Sequence, residues 1–168
     1  MKDIHDNNGE YTLGPIKEED IPYFLLWFND RSLCKHMDDS EKDKKYCSDD
    51  ILSMIKDVSS IYMAFRCDNK IIGFASIYDI SRPNMVGEFS FMIGDPCSHG
   101  KGLGKRLLSL IIQKAKEMDL TALTCSVYAE NFASIKCIES ANFQKMHKKN
   151  VKNGRVEYFY IKHFRSSI

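Results

Sequence analysis

The chain has 168 residues, enough for one domain whose core needs neither a disulfide nor a metal. With 43% hydrophobic and 28% charged residues and a net charge of +1, it lacks the basic excess of a nucleic-acid binder. No run approaches the ~18 apolar residues that span a membrane, and six scattered cysteines without Cys-x-x-Cys give no zinc or dithiol motif.

Residues 1–9 are polar and read as a loose tail before a single domain, and Met1 to Asp6 has no apolar signal core, so a reducing cytoplasm is expected. Tyr11 to Leu13 form a first strand, stopped at Gly14-Pro15. Ile21, Phe24, Leu25 and Phe28 share one face of a helix over Glu18 to Asp30. Residues 31–47 are polar, giving a short helix and a loop. Ser48-Asp49-Asp50 then caps a helix from Ile51 to Val58. Ile61 to Arg66 and Lys70 to Tyr78 are strands joined by hairpin chemistry at Cys67-Asp68-Asn69.

The centre of the chain is Met85 to Phe143. A strand (Val86 to Ile93) leads into His99-Gly100-Lys101-Gly102-Leu103-Gly104, and an amphipathic helix (Leu103 to Met118) follows. A strand (Leu120 to Tyr128) and a short helix after Asn131 complete it. Phe143 to Lys149 and Val156 to His163 close the chain as a hairpin around Lys152-Asn153-Gly154. One mixed sheet flanked by about four helices accounts for all of it.

Alternating glycines at a helix N-terminus let backbone amides converge on one anion, with phosphate the natural guest. Arg106 follows Lys105 where a Walker A loop needs Ser or Thr, and the glycine spacing is not that of a dinucleotide fingerprint.

The glycine turn, then Asn131-Phe132-Ala133-Ser134 and Ala141-Asn142-Phe143 at the right spacing, resemble the Gcn5-related N-acetyltransferase (GNAT) superfamily. Glu18-Glu19-Asp20 and Trp27-Phe28-Asn29-Asp30 look like its ribosomal-protein-alanine N-acetyltransferase branch. The resemblance covers Tyr11 to about His163. It departs from the pattern at His99 (usually Arg or Gln), Asn142 (usually Gly) and Ile138 (often the tyrosine that protonates the departing thiolate).

The resemblance implies an α/β (α+β) fold: one mostly antiparallel sheet of about seven strands with a splayed parallel pair. It implies acetyl-CoA as co-substrate, without a metal. Phe91, Met92 and Ile93 would pair with the pantetheine arm, and His99, Gly100, Lys101, Gly102, Leu103, Gly104 and Lys105 would hold the pyrophosphate, with Lys101, Lys105 and Arg106 as candidate phosphate cations. Asn131 would contact the pantetheine arm or the adenine side, with Ser134 a further cofactor contact, and Asn131 also suits a helix N-cap.

Amine attack on a thioester requires a neutral amine, and Glu88, beside Phe89, is the candidate base. Tyr128 is the candidate acid, with Tyr158 and Tyr160 as substitutes. Cys97 and Cys137 have no histidine placed to activate them. The expected partner is a small-molecule or peptide amine (protein N-terminus, amino sugar, polyamine or aminoglycoside), with no nucleic acid or membrane, in a monomer or homodimer. Asp38, Asp39, Glu41 and Asp43 are candidates to attract a cation. A catalytically weak acetyl-CoA sensor is the alternative.

Overall fold

The computed structural model describes residues 1–36, 44–151 and 154–164. The elements in order are β1 (Ile4–His5), β2 (Tyr11–Pro15), α1 (Ile21–Phe28), α2 (Ser48–Lys56), β3 (Ile61–Cys67) and β4 (Lys70–Ser81). There follow β5 (Val86–Ile93), α3 (Leu103–Glu117), β6 (Ala122–Tyr128), α4 (Phe132–Ser140), β7 (Gln144–Asn150) and β8 (Val156–His163). The strands form one 8-stranded sheet in the order β1-β2-β3-β4-β5-β6-β8-β7. Every neighbouring pair is antiparallel except β5 and β6, which run parallel.

Two cores flank the sheet. α3 lays Leu103, Leu107, Leu110, Ile111 and Ala115 onto one face, against Phe65, Ala75, Ile77 and Phe89. These recur at the helical period, and each leucine buried this way contributes about 1.5–3 kcal/mol. The other face carries Phe24, Trp27 and Phe28 of α1 and Ile51 of α2 against Ala64 and Phe74.

Several expectations are corrected. The eighth strand is β1, inside the segment expected as a loose tail: Ile4 is 2% exposed and pairs with Leu13. Asp6 then accepts from the Tyr11 amide and pairs with Arg106 at 3.0 Å, so this segment is held to both sheet and helix. A single apolar residue among polar ones has no period to reveal it.

The helix expected over Glu18 to Asp30 is a 3₁₀ turn (Glu18–Asp20) followed by α1. The helix expected over Ile51 to Val58 starts three residues earlier, because the Asp50 carboxylate accepts from the Cys47 amide at 2.8 Å and caps it from inside. It stops at Lys56, which leaves Val58 95% exposed. Asp68 and Asn69 take φ 47° and 67°, the left-handed pair of the hairpin turn. The second-hairpin residues Lys152 and Asn153, like Asp38, Asp39, Glu41 and Asp43, lie outside the described residues.

Candidate active site

The parallel pair opens soon after it forms. Val86, Gly87 and Glu88 register with Ala122, Leu123 and Thr124, and among the described residues the pairing ends there. From Phe89 to Ile93 the side of β5 facing β6 has no strand partner among the described residues, which leaves an edge for an extended ligand up to the Ile93 carbonyl, itself taken by His99. A cleft of about 650 Å³ covers this gap.

Of the residues expected at the site, Glu88, Phe91, Met92, Tyr128, Asn131 and Ser134 all line that cleft. Ile93 and His99 to Lys105 do not line it; they form the approach to α3. His99 Nε2 donates to the Ile93 carbonyl at 2.8 Å and so ties the glycine turn to the end of β5. Gly100 and Gly102 have φ 74° and 75°, with open space where a side chain would stand. Backbone conformation, and not crowding, requires glycine there. Gly104 is different. A Cβ there would meet Cys137 Sγ at 3.0 Å and the Phe91 ring at 3.6 Å, so its bareness seats the first turn of α3 against β5 and α4.

Among the described residues, the amides of Gly100, Lys101, Gly102, Leu103 and Gly104 meet no acceptor, whereas the Lys105 amide donates to the Gly102 carbonyl at 3.1 Å. Free amides at the start of a 15-residue helix are a ready anion site. Lys101 and Lys105 have no acidic partner among the described residues, while Arg106 is committed to Asp6 and to the Tyr11 ring.

Glu88 sits where the parallel pairing stops. Tyr78 Oη donates to its Oε1 at 3.1 Å, and Ser126 Oγ approaches the same oxygen at 3.5 Å. Among the described residues Oε2 has no partner. Burial, and then the Glu88 carboxylate itself, push the Tyr78 phenol well above its ordinary range, so it stays a donor. Tyr78 stands directly opposite Glu88 in the β4–β5 register, where the sequence reading did not look. One row further along, the Ser76 and Ser90 hydroxyls lie 2.7 Å apart.

The tyrosines separate by face. Tyr128 is buried in the cleft wall with the Arg155 guanidinium 3.3 Å from its ring centre. Tyr160 donates to Glu139 at 2.8 Å from the other side of the sheet, and Tyr158 lies outside the cleft under Lys145. Burial pushes the Cys137 thiol up, away from the thiolate a nucleophile needs.

A family model described as an acetyltransferase (GNAT) domain matches residues 11–144. The chain belongs to the GNAT acetyltransferase family. The open parallel pair and the glycine turn before α3 are thus features of a GNAT domain, the domain of acyl-CoA-dependent N-acetyltransferases. No curated protein sequence matches the chain.

Solved structures share the fold. Spermidine N-acetyltransferase from Vibrio cholerae, in complex with CoA and spermine, is 16% identical with a TM-score of 0.81, covering 92% of this chain and 95% of that one. YncA from Salmonella typhimurium, with its cofactor acetyl-CoA, is 21% identical with a TM-score of 0.76, covering 92% and 94%. The aminoglycoside acetyltransferase AAC(6')-Ib, in complex with coenzyme A and kanamycin, is 17% identical with a TM-score of 0.74, covering 91% and 94%.

Within this GNAT domain the departures from the pattern have local explanations. Asn142 takes φ 60°, a left-handed position after α4 that asparagine adopts nearly as readily as glycine. Asn131 Oδ1 caps α4 by accepting the Ser134 amide at 3.3 Å. Ile138 is 2% exposed, packs into the core and lines the cleft, where its side chain has no proton to give. Among the described residues there is no cluster of groups to hold a metal, and no helix is long and apolar enough to cross a membrane.

Proposed function

We propose that the chain transfers acetyl from acetyl-CoA directly to a primary amine. The observation that carries the reading is the coincidence, in a GNAT domain, of an unpaired β5 edge, free amides before α3, and a glutamate with one free oxygen at the apex of the gap.

The residues fit the co-substrate by chemistry. The Gly100 to Gly104 amides, with Lys101 and Lys105, accept a diphosphate. The β5 edge from Phe91 to Ile93 accepts the amide-bearing arm, with Asn131 and Ser134 opposite. Acetyl-CoA supplies the activated acyl group. Glu88 Oε2 takes the proton from an incoming ammonium, directly or through water, while Tyr78 holds Oε1. Free β5 amides polarise the acyl carbonyl as negative charge develops on it. On this reading Tyr128, which lines the cleft, returns a proton to the departing thiolate.

The reading is tested by supplying acetyl-CoA and a panel of primary amines and following acetylated product by mass. Product formation that Glu88→Gln reduces by ~10²-fold or more supports it. Tight acetyl-CoA binding with no product from any amine favours the sensor alternative, toward which Ile138 points.

A further inference from the structure

The floor of the cleft beneath α1 and α2 is a series of side-chain rows. Tyr78 stands beside Glu88; Ser76 stands between Ser90 and Tyr62; Phe74 stands beside Met92. Rows on one face of a sheet repeat about every 7 Å, so a carboxylate, a hydroxyl pair and an aromatic wall follow one another.

The aromatic wall is built, not incidental. The Phe74 ring stacks on Tyr62 with centroids 6.2 Å apart and meets Phe28 edge-on at 5.2 Å, and Phe28 packs against Tyr46 at 5.1 Å. Phe28 and Phe74 are buried, whereas Tyr46 and Tyr62 are half-buried and face the cleft.

Charge divides along the same axis. Among the described residues the carboxylates lining the cleft are Asp79, Glu88 and Glu157, from β4, β5 and β8. The end beneath α1 and α2 contributes Lys44, whose ammonium lies 4.4 Å from the Tyr46 ring centre and 3.5 Å from the Asp50 carboxylate. Among the described residues no carboxylate lines that end to receive the remote ammonium groups of a polycation stretched along the cleft, since Lys44 is already paired with Asp50. A single ammonium at Glu88 followed by an apolar ring matches both ends.

We propose that the acceptor is a primary monoamine on an aromatic or similarly sized apolar body, the arylalkylamine class, with Tyr62 and Tyr46 as its specificity-determining residues. This rests on the acetyl-transfer reading of the cleft, and binding and turnover separate the two. Calorimetry on the protein–CoA complex compares 2-phenylethylamine with spermidine, kanamycin and a short peptide with a free N-terminus. 2-Phenylethylamine is expected to bind at least ~10-fold more tightly than the others, with Tyr62→Leu and Tyr46→Leu each removing most of that preference and CoA affinity unchanged. Spermidine, kanamycin or peptide binding as tightly, no binding of 2-phenylethylamine, or a preference untouched in both variants overturns the proposal. If 2-phenylethylamine binds with that preference but is never acetylated, the ligand class of the cleft stands and the transfer reading fails. If another class of amine is acetylated instead, transfer stands and this class is wrong.

Discussion

Glu88 has two unlike oxygens: Oε1 is bonded by Tyr78 and Ser126, and Oε2 has no partner among the described residues. On the proposed mechanism, Glu88→Gln keeps the shape of the site but removes the proton acceptor. Its kcat should fall ~10²-fold or more, with acetyl-CoA affinity by calorimetry unchanged. Tyr78→Phe removes the hydrogen bond that holds Glu88 Oε1, and kcat should fall roughly 10-fold, about 1.4 kcal/mol, with acetyl-CoA affinity unchanged. A Tyr78 that only packs the β4–β5 sheet would leave kcat in place and lower stability alone. Glu88 was legible because it belongs to a strand with a recognisable neighbourhood. Tyr78 was not, since its relation to Glu88 exists only in the β4–β5 register, and a pairing register is not written in either strand alone.

At the scale of elements, the glycine turn was readable because its requirement is local. Gly102 needs φ 75°, and nothing stands within 4 Å of where a Cβ would be. Gly102→Ala should cost about 1–2 kcal/mol in chemical denaturation from conformation alone. Gly102→Glu adds a carboxylate where the diphosphate is proposed to sit; like-charge apposition of several kcal/mol should weaken acetyl-CoA binding more than ~10²-fold. Asn142 offers a parallel test outside the cleft: Asn142→Gly should be nearly neutral, and Asn142→Val should lose about 1–2 kcal/mol at its φ of 60°. β1 escaped sequence reading for the opposite reason. Its evidence is distributed: Ile4 against Leu13, Asp6 against Arg106, contacts that depend on where distant elements come to rest.

Across the whole molecule, the elements followed from periodicity and punctuation, and the splayed parallel pair from the resemblance to the family: α4 begins at its Asn131 cap, and the first hairpin turns where Asp68 and Asn69 are left-handed. The acceptor side was not legible. Its wall gathers Phe28, Tyr46, Tyr62 and Phe74 from α1, the segment before α2, β3 and β4, which no local pattern brings together. A buried ion pair helps hold that assembly. Arg66 of β3 bonds Asp20 just before α1, their side chains 8% and 6% exposed, and Asp20 also accepts the Lys17 amide at 2.8 Å. Arg66→Met strands a buried carboxylate and should destabilise the protein by about 3–5 kcal/mol, while Arg66→Met with Asp20→Leu should recover much of the loss.

Acyl transfer is read by amine-dependent release of CoA from acetyl-CoA, measured together with the acetylated amine. The wild-type chain should give equimolar CoA and acetylated amine, with both reduced together in Glu88→Gln. CoA release that ignores the amine, or equal rates in wild type and Glu88→Gln, would contradict that transfer.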